Sequence, residues 1–159
     1  MAKEVVILMG SKSDLPVAET VRETLAQFGI PCQIRVASAH KTPGKLLALL
    51  EGYEASGRVG VYVTIAGRSN ALSGMADGVV AAPVIACPPL SAQFGVEEVF
   101  SSLRMPSGVC PAVVLDPGNA ALLAAKILAL EEPSLREKVV AYHQRMAQVI
   151  ENDDQALQG

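Results

Sequence analysis

Continuous apolar runs, each stopped by a glycine, a proline or a polar turn, constrain the fold of this chain most. The first run, Val5–Met9, stops at Gly10 and has no polar residue on either face. Such a run is typical of a strand that is buried on both faces of a parallel sheet. The second, Cys32–Val36, alternates apolar with polar residues, which indicates an edge strand with one wetter face. Three further strands are predicted at Val59–Ala66, Pro83–Cys87 and Ala112–Asp116.

Helices are predicted between these strands. The first spans Leu15–Phe28, has one apolar stripe and is ended by Gly29. Thr42 can cap the second helix, with Pro43 at its first helical position. The remaining predicted helices are a short one after Asn70 and two longer ones at Val96–Leu103 and Asn119–Leu130.

The regular alternation of strands and helices predicts an α/β fold. We expect a three-layer sandwich, in which helices cover both faces of a parallel five-stranded sheet. Five strands in 159 residues fit the flavodoxin-like strand order 2-1-3-4-5. No linker or repeat interrupts the sequence, so residues 1–159 are predicted to form a single domain.

The last segment, residues 132–157, is predicted to be a long helical extension. Ser134 and Glu137 have the spacing of a capping box. One apolar stripe follows, formed by Leu135, Val139, Tyr142, Met146 and Val149. This helix can pack on its own domain or on a neighbouring subunit. Because half of the chain is apolar and only 18% is charged, we expect the helix to lie at a subunit interface.

Charge, hydropathy and cysteine spacing exclude several classes of protein. The net charge of −3 provides no basic excess for binding nucleic acid. The longest apolar run, residues 79–90, contains prolines and is shorter than the about 20 residues of a membrane-spanning helix. Three distant cysteines without CxxC spacing predict neither a disulfide framework nor a zinc site. The N-terminus has no signal-peptide layout, so we expect a soluble cytoplasmic protein.

Polar loops follow the predicted strands at the edge where ligands bind in doubly wound sheets. The first loop reads Gly10-Ser11-Lys12-Ser13-Asp14, and the helix start behind it favours an anion. Asp14 can either cap that helix or bind ribose hydroxyls. The loop lacks Walker A spacing, so we do not expect a nucleoside triphosphate.

The second loop, residues 38–43, contains one of the two histidines of the chain. Imidazole titrates near neutrality, so His40 is a candidate general acid and base, although a lone loop histidine can also be incidental. The third loop, residues 66–74, can wrap a small polar ligand or simply cap the next helix. Arg68 and Arg104 can bind an anion or pair with buried carbonyls and carboxylates.

The sequence contains no carboxylate pair, metal-ligand cluster or GxSxG elbow, which disfavours glycosidases, metalloenzymes and serine hydrolases. The residues alone therefore indicate an enzyme or binding domain for a small phosphorylated metabolite, with His40 moving protons. A non-catalytic nucleotide-binding sensor domain is the alternative.

Three motifs carry a resemblance to a known family. The segments MGSKSD at 9–14 and SAHKTP at 38–43, with the glycine-bracketed third loop, resemble the PurE family of purine biosynthesis over essentially the whole chain. The third loop AGRSNALSG and the segments PVIACPP and SSLRMPSG resemble the class II branch, the CO2-dependent carboxylases of aminoimidazole ribonucleotide (AIR). The mutase branch, which converts N5-carboxy-AIR, usually has AGGAAHLPG in that loop.

The resemblance implies reversible carboxylation of AIR at C4 by CO2, without metal, ATP or other cofactor. The mutase reaction is the alternative. His40 is implied as the catalytic acid and base, and a dry pocket walled by Pro88, Pro89 and Leu90 is expected to hold CO2 as co-substrate. A homo-oligomer, a tetramer or an octamer, is also implied.

The resemblance further implies a set of substrate-binding residues. Ser11, Ser13 and Asp14 are assigned to the ribose and phosphate, and Ser38 and Lys41 to the phosphate. The base and CO2 are assigned to four third-loop residues, Gly67, Arg68, Ser69 and Asn70.

Overall fold

The computed structural model describes residues 3–90 and 97–158. Within them lie five strands: β1 (Glu4–Met9), β2 (Cys32–Val36), β3 (Val59–Ile65), β4 (Val84–Ala86) and β5 (Ala112–Val113). All pair in parallel, in the order β2-β1-β3-β4-β5. The predicted order 2-1-3-4-5 is therefore confirmed, with β2 at an edge.

Helices cover both faces of the sheet, as expected for a three-layer sandwich. The described residues form α1 (Leu15–Phe28), α2 (Pro43–Ser56), α3 (Ala71–Asp77), α4 (Glu97–Leu103), α5 (Pro117–Leu128) and α6 (Pro133–Gln158). Helices α1, α5 and the first half of α6 contribute to the core on one face, and α2 and α3 to the core on the other. None of the helices in the described ranges combines the length and apolar character that a membrane crossing requires.

Strand β1 explains why the first apolar run contains no polar residue. Val5 and Ile7 are fully buried in the core beneath α1 and α5. Val6 and Leu8 are fully buried in the opposite core, beneath α2 and α3. Both faces of this interior strand are therefore dry, and each side chain of the run has an apolar neighbour.

The fifth strand is shorter than the sequence predicts. It ends at Val113, whereas the prediction extended it to Asp116. The Asp116 carboxylate accepts a hydrogen bond from the Asn119 N–H at 2.7 Å, which caps α5. The helix consequently begins at Pro117, two residues earlier than predicted. At α4 the observed helix begins at Glu97, and the predicted first residue, Val96, lies outside the described residues.

The first half of α6 packs on its own domain. Leu135 and Val139 are buried in the core with α1 and α5. The Tyr142 ring lies 5.3 Å from the Phe28 ring, centroid to centroid, and the Lys138 Nζ donates to the Phe28 carbonyl at 2.7 Å. The helix therefore closes the core at the end of α1.

The second half of α6 has a different environment. Every residue from 143 to 158 is exposed, including Met146, Val149 and Ile150, the last at 67%. At 1.5 Å per residue this exposed segment extends for about 24 Å.

The predicted capping box at the start of α6 is wrong. The helix begins at Pro133, so Ser134 lies inside the first turn instead of before it. Its hydroxyl donates to the Glu132 carboxylate at 3.0 Å. The Glu132 carbonyl accepts the first backbone hydrogen bonds of the helix, from the Leu135 and Arg136 N–H groups.

Candidate active site

A cavity of about 550 Å³ opens at the carboxyl edge of the sheet. Its walls come from the loops after β1, β2 and β3, from Pro89 and from α4. This is the point where the strand order reverses around β1, at which doubly wound sheets bind their ligands. The volume suits a small metabolite. All of the candidate residues except Asn70 line it: Ser11, Ser13, Asp14, Ser38, His40, Lys41, Gly67, Arg68 and Ser69.

The first loop is held by a hydrogen-bonded turn at Lys12–Asp14. The Asp14 carboxylate accepts from the Ser11 N–H at 3.0 Å, and the Ser13 hydroxyl donates to the Ser11 hydroxyl at 2.9 Å. The Asp14 side chain makes no capping bond to α1, although the residue stands at its N-cap position. Of the two sequence alternatives for Asp14, capping of α1 is therefore wrong, because the same carboxylate closes the preceding turn.

The first and third loops approach each other at Gly10. The Gly10 N–H donates to the Ile65 carbonyl at 2.9 Å. A Cβ atom on Gly10 would already lie 3.5 Å from the Ala66 Cβ. The two loops are therefore packed against each other at this point of the cavity wall.

Partial burial makes the Asp14 carboxyl a weaker acid than usual. Desolvation raises the pKa of its carboxyl above the ordinary value of 3.8, and the hydrogen bond from the Ser11 N–H lowers it in part. The charged form of Asp14 is consequently disfavoured in the folded protein relative to the unfolded chain.

Asp14→Asn is expected to raise the melting temperature at pH 7. The raised folded pKa means that the native state binds the proton more tightly, so wild-type stability falls as pH rises from 3.8 through the folded pKa. Asparagine carries no charge and keeps an oxygen for the Ser11 N–H. Thermal unfolding should show the higher melting temperature of the variant at pH 7. The difference should be smaller at about pH 3, where Asp14 is protonated in both the folded and the unfolded wild type.

A matched control for that experiment is Asp153→Asn, at an exposed position of α6. Its melting temperature should follow that of the wild type at both pH values. A variant at Asp14 that melts no higher than the wild type at pH 7 would contradict the effect of burial on this carboxyl.

The second loop is a closed turn that carries His40 and Lys41 to the cavity. The Ser38 N–H donates to the Thr42 hydroxyl at 3.0 Å, and the Thr42 N–H donates to the Ser38 carbonyl at 2.9 Å. The Lys41 N–H donates to the Ser38 hydroxyl at 3.2 Å. The Thr42 side chain makes no capping bond to α2, contrary to prediction, because it closes this turn. His40 and Lys41 are both exposed and lie at the cavity wall.

Hydrogen bonds join the third loop to α4 on the side away from the cavity. Asn70 is buried, and its amide nitrogen donates to the Ser102 hydroxyl at 2.8 Å. Its side-chain oxygen accepts from the Ser73 N–H at 3.1 Å, which caps α3. The Asn70 N–H donates to the Ser101 hydroxyl at 2.9 Å. Asn70 therefore supports the loop and does not line the cavity, as the helix-capping alternative anticipated.

Glu98 is the cavity residue that sequence reasoning missed. It lies on α4, is only 4% exposed and accepts a hydrogen bond from the Arg68 N–H at 3.1 Å through its Oε1. A signal was present: Glu98, Ser101 and Ser102 share one helical face, since residues three and four apart are neighbours. On the same helix Phe100 and Leu103 are exposed, the reverse of an ordinary amphipathic helix.

Two further sequence expectations concern residues near the cavity. Of the predicted apolar wall, Pro89 lines the cavity, Pro88 is buried and Leu90 is 53% exposed. Arg104 is exposed and does not line the cavity, whereas Arg68 does.

Comparisons with known proteins agree with this arrangement. The family model for AIR carboxylase matches residues 4–149. Phosphoribosylaminoimidazole carboxylases of Treponema denticola and Archaeoglobus fulgidus are each 51% identical to this chain, of which each alignment covers 96%. The alignments cover 96% and 83% of those relatives.

A crystal structure of Treponema denticola PurE is 50% identical and superposes with a TM-score of 0.95, covering 99% of both chains. An N5-carboxyaminoimidazole ribonucleotide mutase of Methanocaldococcus jannaschii is more distant, with 37% identity over 95% of both chains.

Proposed function

The chain belongs to the AIR carboxylase family, and we propose that it carboxylates AIR at C4 with CO2, reversibly, in purine biosynthesis. The observation that carries the proposal is the single cavity that unites His40, Lys41 and the polar loops after β1 and β3. The mutase reaction on N5-carboxy-AIR is the second candidate. The higher identity to the carboxylases, 51% against 37%, favours the first.

The chemistry of the substrate explains what the cavity must provide. AIR is electron-rich at C4, an enamine-like carbon whose electron pair forms the new bond to the carbon of CO2. One C=O bond of CO2 gives its electron pair to oxygen, which becomes the carboxylate. C4 is then tetrahedral and still carries its hydrogen. A base must remove that proton so that the ring regains its aromaticity.

His40 is the proposed base, and the acid in the reverse direction. Its imidazole nitrogen takes the C4 proton during carboxylation and returns it to C4 during decarboxylation. We propose that no metal or organic cofactor takes part, because the ring itself supplies the electron pair and receives it back. Positioning of CO2 against C4 must then contribute much of the rate.

The remaining cavity residues are assigned by their chemistry. Ser11, Ser13 and Asp14 offer hydroxyls and a carboxylate to the ribose and phosphate. Ser38 and Lys41 are assigned to the phosphate, to which lysine contributes as a point charge.

The third loop is assigned to the base and CO2. Gly67, Arg68 and Ser69 line this end of the cavity, opposite the second loop. Pro89 adds an apolar wall beside Gly67, where a Cβ atom would lie 3.5 Å from the Pro89 Cγ. Neutral CO2 is suited to such a surface.

A direct assay separates the two reactions. The purified chain, mixed with AIR and bicarbonate without ATP, is expected to form 4-carboxy-AIR at a rate that rises with dissolved CO2. Chromatography of the products measures it, with heat-denatured protein as the control. Formation of the product from N5-carboxy-AIR alone, with none from AIR, would instead establish the mutase.

We also propose that the chain works as a homo-oligomer, a tetramer or an octamer, in the cytoplasm. The exposed apolar residues of α6 beyond residue 143 support the assembly, since a subunit interface would cover them. Cys32, Cys87 and Cys110 are free thiols, which a reducing compartment preserves.

A further inference from the structure

Arg68 has a backbone conformation that needs support. Its φ angle is +60°, the only positive value at a non-glycine residue in the described chain. This left-handed region is unfavourable for residues with a Cβ atom and persists where neighbouring groups hold it. The Arg68 N–H donates to the Glu98 Oε1 at 3.1 Å, so the carboxylate lies where that support is required.

Glu98 itself is costly to bury unless its carboxylate is hydrogen-bonded. It is 4% exposed, and its Oε1 would also lie 3.5 Å from a Cβ atom on Gly67. Because the peptide between Gly67 and Arg68 is trans and planar, fixing its N–H also fixes the Gly67 carbonyl in the opposite direction. One carboxylate thus sets the orientation of the whole peptide at the cavity wall.

The rest of α4 strengthens this hold. The Ser101 hydroxyl accepts from the Asn70 N–H and donates to the Glu98 carbonyl at 3.0 Å. The Ser102 hydroxyl accepts from the Asn70 side chain. The helix therefore holds the third loop at Arg68 and at Asn70, and Glu98 is the member of this set that also lines the cavity.

We propose that Glu98 is a positioning residue for the carboxylation: its carboxylate holds the Gly67–Arg68 peptide in the left-handed turn that shapes the base and CO2 end of the cavity. The inference rests on the proposed function of that end. Glu98 acts through the third loop and not on the reacting atoms. Loss of the carboxylate allows the peptide to rotate, which exchanges the directions of its N–H and its carbonyl.

The test compares Glu98→Ala, Glu98→Gln and the wild type in the AIR and bicarbonate assay. Alanine is expected to lower kcat/KM about 100-fold, the loss that a misplacement of about 1 Å can cause, and to raise the KM for CO2. Glutamine keeps an oxygen for the Arg68 N–H, so kcat/KM should recover to within about tenfold of the wild type. Glu97→Ala, at an exposed position of the same helix, is the matched control.

Two readouts separate positioning from a general loss of structure. A smaller folded fraction lowers kcat and leaves the KM for CO2 unchanged, so that pattern would overturn the proposal. In an Arg68→Gly background, Glu98→Ala should cost no more than about threefold, because glycine adopts a positive φ without support. If Glu98→Ala still lowered kcat/KM about 100-fold in the Arg68→Gly background, the positioning proposal would also be overturned.

A measurement without turnover distinguishes this proposal from the proposed function. Hydrogen exchange at the Arg68 amide should accelerate in Glu98→Ala, while amides of β3 such as Tyr62 keep their protection. If the wild type lacks carboxylase activity but the Arg68 amide accelerates as expected, only the assigned reaction fails. If the amide exchange and the kinetic constants of an active enzyme are both unchanged, Glu98 has no positioning role.

Discussion

His40→Asn is expected to lower kcat by about 10²–10⁴-fold, the usual contribution of a general acid and base, and to leave the affinity for AIR within about twofold. Asparagine is similar in size and still forms hydrogen bonds, but it cannot take the C4 proton. The turn from Ser38 to Thr42 does not depend on the His40 side chain, so Lys41 keeps its place. Steady-state kinetics measures kcat, and calorimetric titration with AIR measures affinity.

His143→Asn is the control for that substitution, because His143 is the second histidine and lies on the exposed part of α6. It should retain wild-type kcat. The kcat of the His40→Asn chain also tests the alternative that the protein is a non-catalytic sensor domain. A His40→Asn chain that keeps every measurable function would contradict catalysis by this residue and favour a nucleotide-binding domain without turnover.

Removal of residues 145–159 is expected to reduce the mass of the particle in solution at least by half. The deleted segment carries Met146, Val149 and Ile150, whose exposed side chains provide the apolar surface proposed for subunit contact. The core is retained, because Leu135 and Tyr142 stay in place. Light scattering measures the mass, and circular dichroism checks that the fold persists.

The position of the cut matters in this experiment. Truncation after Glu132 would also remove Leu135, Val139 and the Tyr142 ring that packs on Phe28, so loss of assembly could not be separated from loss of the core. A double substitution, Val149→Asp with Ile150→Asp, keeps the chain length and should dissociate the particle in the same way. An unchanged mass in both variants would rule out the second half of α6 as the interface.

The strand order could be predicted because the burial of a strand determines the pattern of apolar and polar residues along it. A strand covered on both faces, such as β1, is apolar at every buried position, here from Val5 to Met9, whereas β2 shows the alternation of an edge strand. Local ends were harder to predict. Asp116 caps α5 and thereby shortens β5, and Ser134 contacts Glu132 instead of capping α6. In each case the outcome depends on which of several nearby hydrogen-bonding groups a polar side chain reaches.

The candidate site was predictable where its residues follow strands directly. Ser11, Ser38 and His40 stand at the carboxyl ends of β1 and β2, which the fold alone brings together. Glu98 was not predictable in this way, because it reaches the cavity from a helix and contacts Arg68 across 30 positions of the chain. Asn70 follows β3 as expected, but its side chain turns inward to α4.

The place of β1 between β2 and β3 has a consequence for how the chain is made. Strand β1 pairs with β2 on one side and β3 on the other, so synthesis must proceed through β3 before β1 has both neighbours. The walls of the cavity come later still, since Glu98 and Pro89 belong to the second half of the sequence. Parallel pairing of this kind depends on contacts distant in sequence and is slow. We therefore expect carboxylase activity to return later than the helical circular dichroism signal when the denatured chain is diluted into buffer.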